Sequence, residues 1–187
     1  MKLLKIAPIL LTIISLSCEE RVLNPIELYQ IKKGNHHSTR KVELLQTDKL
    51  RFFATFNNTA IYSSKIAENQ WDTNKLFGFS DCNSHHHENS ARFGWRWIED
   101  RIEVLTYTYV DGQREIFKIG ETSIDTKKFY SIEVTEDQYI FEFDNETISV
   151  ERSNSCRRGI YYLLFPYFGG DETAPHDISI VIERVML

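Results

Sequence analysis

The sequence predicts an all-β domain that folds as an antiparallel β-sandwich of the jelly-roll type. Segments rich in β-branched and aromatic residues recur roughly every ten residues, a spacing typical of sandwiches and barrels. Aromatic residues make up 13% of the 187-residue chain. No convincing helical pattern follows the N-terminal leader. The alternative is another all-β fold, a lipocalin-like barrel.

About ten strands are predicted, because apolar and aromatic runs are separated by turn-forming residues. They cover 42–45, 50–56, 76–79, 91–97, 104–110, 115–119, 129–134, 139–143, 147–152, 160–165 and 178–185, with 26–29 as a candidate short first strand. Asp111-Gly112 predicts a tight hairpin turn between two of them.

The segment 90–97 alternates strictly and defines the two faces of its strand. The aromatic face, predicted to be core, carries Ala91, Phe93, Trp95 and Trp97. Arg92 and Arg96 lie on the opposite face, where paired guanidinium contacts suit acidic sugars. Gly94 between them would let a ligand approach the backbone.

The first twenty residues indicate an export signal. Lys2 and Lys5 flank the start of an apolar run that ends at Leu16. The run is too short to remain as a membrane anchor. Ser17-Cys18 follows it, and the segment resembles the lipobox of bacterial lipoproteins, with Ser15 where leucine is usual.

That resemblance implies cleavage before Cys18 and acylation of its thiol. Glu19-Glu20 is similar to the acidic signal of lipoproteins that are sent to the cell surface. We therefore expect an outer-membrane lipoprotein of a bacterial envelope. Its domain would be exposed at the cell surface or, alternatively, would face the periplasm. The expected division is a signal peptide at 1–17, a lipid-anchored tether at 18–35 and a β-sandwich domain at 36–187.

The charge balance excludes some partners. Cleavage removes two of the 22 basic residues and none of the 27 acidic ones, so the net charge becomes −7. Such a chain is not expected to bind nucleic acid or to dock electrostatically on anionic lipid. Membrane attachment would rest on the acyl chains.

Two cysteines remain once Cys18 is assigned to lipid. Cys82 and Cys156 are predicted to form a disulfide, because an exported protein meets an oxidising compartment. Two separate thiols are the alternative.

A histidine-rich segment at 80–92 is the densest polar cluster. On an extended chain His85 and His87 would share a face, and His86 would share one with Glu88, so the three histidines are not expected to bind one metal together. His85 and His87 are candidate ligand-binding residues, with a polar loop at the mouth of the sandwich as the alternative.

A second polar cluster covers 166–178. Its oxygen-bearing side chains, Asp171, Glu172 and Asp177, are weak candidates for a calcium site. His176 is a further candidate ligand-binding residue. The alternative is a packed hairpin in which these side chains bond to the backbone.

At the level of architecture, residues 40–187 resemble the concanavalin A-like jelly rolls, which include lectin-like modules, glucanases and alginate-lyase-type enzymes. The strand at 90–96 is similar to the arginine strand of the alginate-lyase-like members. Their Gln-x-His strand has no match in this sequence. The chain also lacks the G-x-S-x-G, glycine-rich phosphate-loop and H-E-x-x-H motifs.

The main functional hypothesis is a lipid-anchored surface protein that binds a glycan, such as an acidic polysaccharide, without catalysis and without a required cofactor. One alternative is a jelly-roll polysaccharide lyase or hydrolase. Another is an accessory subunit that docks on a second envelope protein. A deep cleft with a Tyr–His–Arg cluster would favour the enzyme, and a shallow aromatic face would favour the binder.

The lipobox resemblance makes a direct prediction about the mature N-terminus. Mass spectrometry of the protein exported by a Gram-negative host should find a first peptide that begins at Cys18 and carries acyl groups. Cys18→Ser should abolish this modification. An unmodified peptide that starts elsewhere, or a retained signal, would refute the assignment.

Overall fold

The fold is a sandwich of two antiparallel sheets. The computed structural model describes residues 25–39, 41–45, 47–153 and 161–185. In these ranges twelve strands form two six-stranded sheets, which confirms the predicted β-sandwich class. None of the helices in these ranges is long and apolar enough to cross a membrane.

The first sheet, sheet A, has the strand order β1-β12-β3-β8-β9-β10. Its strands are β1 (Ile26–Ile31), β12 (Ile178–Arg184), β3 (Lys49–Phe56), β8 (Lys128–Val134), β9 (Gln138–Phe143) and β10 (Glu146–Glu151). The second sheet, sheet B, has the order β2-β11-β4-β5-β6-β7. Its strands are β2 (Leu44–Leu45), β11 (Tyr161–Leu164), β4 (Asn74–Ser80), β5 (Ser90–Ile98), β6 (Arg101–Val110) and β7 (Gln113–Thr122). Two short 3₁₀ helices, Asn58–Ala60 and Ala67–Trp71, lie between β3 and β4.

The core lies between the inner faces of the two sheets and is dominated by aromatic rings. Phe93 and Trp95 on β5 are fully buried, as the alternation predicts. Phe93 meets Tyr130 of sheet A edge-on, with ring centroids 5.0 Å apart. Trp95 packs on Phe56 at 5.1 Å. Tilted and edge-to-face aromatic pairs of this kind stabilise the core beyond the burial of apolar surface alone.

Tight turns fix the strand register in sheet B. The predicted turn between β6 and β7 is present, with positive φ at Asp111 and Gly112. The turn between β5 and β6 has the same backbone without glycine, because Glu99 and Asp100 adopt φ values of 49° and 61°. An acidic pair carries no strong turn signal, so only the structure shows how sharply this hairpin closes.

The first strand corrects the predicted domain boundary. Residues Ile26–Ile31 pair along their whole length with β12, and Tyr29 and Ile31 are buried in the core. The domain therefore includes residues that were assigned to the tether, and its start at residue 36 was placed too late. Cys18 and Cys156 lie outside the described residues, so the lipidation and the Cys82–Cys156 disulfide remain predictions.

A buried ion pair joins the two sheets at one end of the sandwich. Asp81 follows β4 of sheet B, and Arg152 follows β10 of sheet A; their side chains are 0% and 3% exposed. Arg152 donates from Nε to Asp81 Oδ2 at 2.5 Å and from Nη2 to Oδ1 at 3.0 Å. The Tyr139 hydroxyl donates to Oδ2 at 2.7 Å. The pair is bidentate and further hydrogen-bonded, which offsets the cost of burying the two charges.

Arg152→Leu should destabilise the domain strongly, because it leaves the Asp81 carboxylate buried without its cation. We expect the free energy of unfolding, measured with urea, to fall by about 3–5 kcal/mol. Glu121→Gln, which breaks the exposed Arg101–Glu121 pair, is the matched control and should cost about 1 kcal/mol or less. Equal effects of the two variants would contradict a special role for the buried pair.

Candidate functional site

The outer face of sheet B, which points away from sheet A, carries the candidate site. One row of paired residues crosses four strands there: Leu164 on β11, Gly78 on β4, Arg92 on β5 and Tyr107 on β6. Their side chains share a face because cross-strand partners point the same way. Arg92 therefore projects from the middle of the sheet rather than from an edge.

The next row along the strands is a shallow trough with tyrosine walls. Tyr162 on β11 pairs with Ser80, Ser80 pairs with Ser90, and Ser90 pairs with Tyr109 on β6. The two serines are buried and small, so they form the floor. The Ser80 hydroxyl has no hydrogen-bond partner among the described residues.

Arg92 is a buried cation that lacks a polar partner for its Nε atom in the described part of the chain. Only 6% of the residue is exposed. Its guanidinium lies over the Tyr107 ring, with Cζ 5.2 Å from the centroid. Burial lowers the pKa of Arg92 to about 10, although nearby tyrosines act in the opposite direction. The side chain therefore remains positively charged at neutral pH.

Lys75 places a second cation beside the first. Its Nζ lies 4.9 Å from the Tyr107 ring centroid and 5.8 Å from that of Tyr167. Burial lowers the pKa of Lys75 to about 8, and the positive charges of Arg92 and Arg114 lower it further. We call Arg92, Lys75, Tyr107, Tyr162 and Tyr167 the cation pocket.

The pocket holds positive charge without a matching carboxylate. Asp72 is near enough to favour the charged form of Lys75. Even so, the ion pairs among the described residues include neither Lys75 nor Arg92, whereas Arg96 on the same strand is paired. Burying an unpaired cation is costly, so such an arrangement is suited to receive an anion.

Two glycines make room for these cations. A Cβ atom at Gly78 would lie 2.2 Å from the Cβ of Arg92. One at Gly169 would lie 2.5 Å from Lys75 Nζ. Tyr167, just before Gly169, reaches the pocket because its backbone pairs with Lys75 through N–H···O bonds of 2.8 and 3.0 Å.

A tyrosine–histidine pair stands at one wall. The Tyr162 hydroxyl lies 3.2 Å from His86 Nδ1 and accepts the backbone N–H of His86 at 3.0 Å. Burial lowers the pKa of His86 to about 4, and the charge of Arg92 adds to this effect. His86 is therefore neutral at pH 7, and its Nδ1 lies within hydrogen-bond distance of the Tyr162 hydroxyl.

The predicted ligand-binding residues separate into two groups. Arg92, His85 and His87 come together at one end of the outer face, where His87 packs on Tyr109 at 5.2 Å. Arg96 lies four residues along the strand, about 13 Å from Arg92. It donates to Glu103 Oε2 at 2.7 Å and to the Trp71 carbonyl at 2.8 Å, so its charge is already satisfied.

His176 lies apart from this cluster, and its Nε2 is 2.9 Å from the Thr59 carbonyl oxygen beside sheet A, as the packed-hairpin alternative predicts. One other sequence-based expectation was wrong. The backbone at Gly94 is not open to a ligand, because a Cβ there would lie 2.5 Å from Thr73 Cγ2.

The predicted calcium loop does not gather its oxygens. Glu172 accepts the backbone N–H groups of Lys65 and Ile66, each at 2.9 Å. Asp177 pairs with the Lys32 ammonium, also at 2.9 Å. These carboxylates therefore brace separate loops, and among the described residues no group of three possible metal ligands includes Asp171.

Sequence reasoning missed most of the cation pocket. Lys75, Tyr162 and Tyr167 come from three separate segments, and nothing local distinguishes them from surface residues. Tyr107 and Tyr109 did leave a signal, because residues two apart on a strand share a face. Pairing them with the Arg92 strand required the sheet order.

The solved structures that resemble this chain show the same fold. An alginate lyase from a Chlorella virus, vAL-1, has a TM-score of 0.52 at 10% identity, covering 85% of this chain and 82% of that one. The catalytic domain of an endo-1,3-beta-glucanase (laminarinase) from Thermotoga petrophila has a TM-score of 0.55 at 11% identity, covering 84% and 74%. A Bacteroides ovatus GH16 protein from a mixed-linkage glucan locus has a TM-score of 0.54 at 8% identity, covering 87% and 81%.

Sequence comparison adds nothing to this likeness. No protein-family model and no curated protein matches the chain. At identities this low the structures are evidence for a shared jelly-roll fold alone.

Proposed function

We propose that the protein is a polysaccharide lyase that cleaves an acidic, uronate-containing glycan on the outer face of sheet B. The observation that carries this proposal is the pair of largely buried cations, Arg92 and Lys75, that lack a carboxylate partner in the described ranges. A uronate carboxylate would supply the missing charge. A guanidinium binds such a group through two parallel hydrogen bonds.

The same contacts would prepare the substrate for β-elimination. Binding the carboxylate between Arg92 and Lys75 withdraws charge from it and makes the proton on the neighbouring C5 carbon more acidic. Charge that develops on the carboxylate in the transition state would then be stabilised by fixed cations. Tyr162, on the wall of the trough, is the group we assign to proton transfer.

The proposed step balances without water. The Tyr162 oxygen takes the C5 proton while its own proton moves to the leaving oxygen, so Tyr162 ends in its starting protonation state. The C5–H electron pair forms the C4=C5 double bond, and the C4–O4 bond breaks. O4 ends as a hydroxyl, so the products are one new reducing end and one unsaturated uronate.

The site favours a lyase over a hydrolase. Retaining and inverting glycosidases need two carboxyl groups that flank the scissile bond. Glu103 on β6 and its cross-strand partner Glu121 on β7 are carboxylates of the outer face, but Arg96, Arg101 and Lys118 pair with them. The cation pocket offers tyrosine, histidine, arginine and lysine instead.

Similar solved structures support a glycan as the ligand. Among them are an alginate lyase and several glucanases. The Tyr–His–Arg cluster expected of an enzyme is present, but it lies in a shallow trough and not in the deep cleft expected with it. The cluster supports the lyase, and the shallow trough supports the non-catalytic alternative.

We also propose that the protein acts at the cell envelope, anchored by lipid on Cys18. The lipobox-like leader supports this location. A depolymerising domain on the outer membrane would meet polysaccharides that are too large to enter the cell.

If the protein is a lyase, replacing Arg92 should weaken substrate binding without lowering the stability of the domain. Incubation with polymannuronate, polyguluronate or polygalacturonate should generate the ultraviolet absorbance of unsaturated uronate. Arg92→Met should weaken substrate binding about ten-fold or more, since a charged hydrogen bond contributes roughly 1.5–3 kcal/mol. The melting temperature should hold or rise, because an unpaired buried charge is removed.

Arg96→Met is the matched control, on the same strand and the same face. It should lose stability by breaking the Arg96–Glu103 pair while keeping glycan binding. Tyr162→Phe should bind normally and cleave at least a hundred-fold more slowly. Native protein that binds uronates without cleaving them would favour the non-catalytic alternative, and failure to bind any uronate polymer would refute both.

Lys75 predicts how binding depends on pH. A bound carboxylate favours the ammonium form and raises the pKa of Lys75 from about 8 toward its usual value. At a pH between the two pKa values, Lys75 is protonated in the complex but deprotonated in the free protein. Affinity for the carboxylate should therefore fall as the pH rises above about 8. Below pH 8 the lysine is charged in both states and contributes no pH dependence.

Calorimetric titration with a uronate oligosaccharide at about pH 7 to pH 9, below the pKa of about 10 of Arg92, would test this. Lys75→Gln should bind more weakly and with a flat profile over the same range. A flat profile in the unmodified protein would contradict the assigned role of Lys75.

A further inference from the structure

The histidine turn, residues 85–89, folds differently from the extended chain that the sequence analysis assumed. Glu88 and Asn89 donate their backbone N–H groups to the His85 carbonyl at 2.8 and 3.3 Å. This single helical turn gathers the three histidine rings on one side. Their centroids are 4.2 Å apart for His85–His86, 4.4 Å for His86–His87 and 5.1 Å for His85–His87.

The gathered rings bring three potential ligand atoms together. One ring nitrogen from each histidine lies within 4.8 Å of the others, and in the described ranges this is the one group of three His, Cys, Asp or Glu side chains that does so. Nitrogen ligands at about 2.0–2.1 Å from a tetrahedral zinc ion are roughly 3.4 Å apart. A modest rotation of the His85 and His87 side chains, both of which are exposed, would bring the ring nitrogens to the separation that a metal requires.

The second ring nitrogen of His86 is held in the way that metal sites hold it. His86 Nδ1 contacts the Tyr162 hydroxyl, which leaves Nε2 for an ion. His85 Nδ1 accepts the His87 backbone N–H at 3.3 Å, so Nε2 carries the proton of this ring. An ion would bind His85 at Nδ1 in exchange for that long hydrogen bond, or at Nε2 after the proton moves to Nδ1. Metal-ligating histidines commonly donate their second ring N–H to a partner, as His86 Nδ1–H can to the Tyr162 oxygen, and this fixes the ring.

We propose that His85, His86 and His87 bind one divalent transition-metal ion, of the zinc or copper(II) class, at the mouth of the cation pocket. Three imidazoles select these ions over calcium and magnesium, which prefer oxygen ligands. Three protein ligands leave a coordination position open. This inference does not depend on the lyase proposal, and it corrects the expectation that three consecutive histidines could not share a metal.

Metal binding itself is the test. The purified protein, without an affinity tag and stripped with a chelator, should bind one Zn²⁺ per chain by isothermal titration. His85→Gln/His87→Gln should bind at least ten-fold more weakly. His36→Gln/His176→Gln removes two histidines from elsewhere in the domain and is the matched control, expected to bind as the unmodified protein does.

A spectroscopic measurement on the unmodified protein tests the site even if a variant fails to fold. Electron paramagnetic resonance of the Cu²⁺-loaded unmodified protein should show coupling to more than one nitrogen. Tyr162→Phe should weaken Zn²⁺ binding by about ten-fold through loss of the contact to His86. Absence of saturable binding, undiminished affinity in His85→Gln/His87→Gln, or copper without nitrogen coupling would overturn the site. Each readout is independent of glycan cleavage, so its failure is distinct from failure of the lyase proposal.

Discussion

The Asp81–Arg152 pair is the interaction on which the arrangement of the site depends. It is the bidentate, fully buried link between a loop of sheet B and a loop of sheet A. Asp81 also starts the loop that carries the histidine turn. Its backbone carbonyl accepts both the backbone N–H and the hydroxyl of Ser84. The Asp81 N–H closes the loop by donating to the Asn89 carbonyl at 2.9 Å. A single aspartate therefore couples the packing of the sheets to the position of His86, and through it to Tyr162.

The buried charges of the domain fall into two groups, one that is paired and one that lacks a partner of opposite charge among the described residues. Asp81 and Arg152 neutralise each other, and Tyr139 completes the network. Arg92 and Lys75 are also desolvated, yet no carboxylate among the described residues satisfies them. The first arrangement stabilises the fold, and the second costs stability that a bound anion would recover. This contrast separates a structural charge from a functional one more clearly than residue type or location in the sheet does. It also explains how a chain with a net charge of −5 can carry a local cluster of positive charge without a carboxylate partner among the described residues.

Local patterns predicted the fold because strand alternation is a local property. The two faces of the segment 90–97 could be read directly, and Phe93 and Trp95 are core residues as expected. The site was harder to predict because its members meet only through sheet order. Four different strands carry its members Lys75, Arg92, Tyr107 and Tyr162. The spacing of these residues in the sequence does not indicate that the strands are neighbours. The histidine prediction failed for a local reason: the segment was assumed to be extended, whereas one helical turn places all three rings together.

The jelly-roll fold alone does not choose among the chemistries found on it, because glucanases and an alginate lyase share this architecture with the chain. The choice comes from the charges that each site presents. A glucanase acting through paired carboxylates places negative charge at the scissile bond, whereas the trough here places positive charge over a floor of serine and glycine. Neutral glucans would leave Arg92 and Lys75 desolvated and unpaired, so their binding would not recover the cost of burying these cations. An acidic polymer recovers that cost at each uronate that enters the pocket. The charges of these two side chains therefore support the proposed acidic ligand more directly than the overall similarity of the fold does.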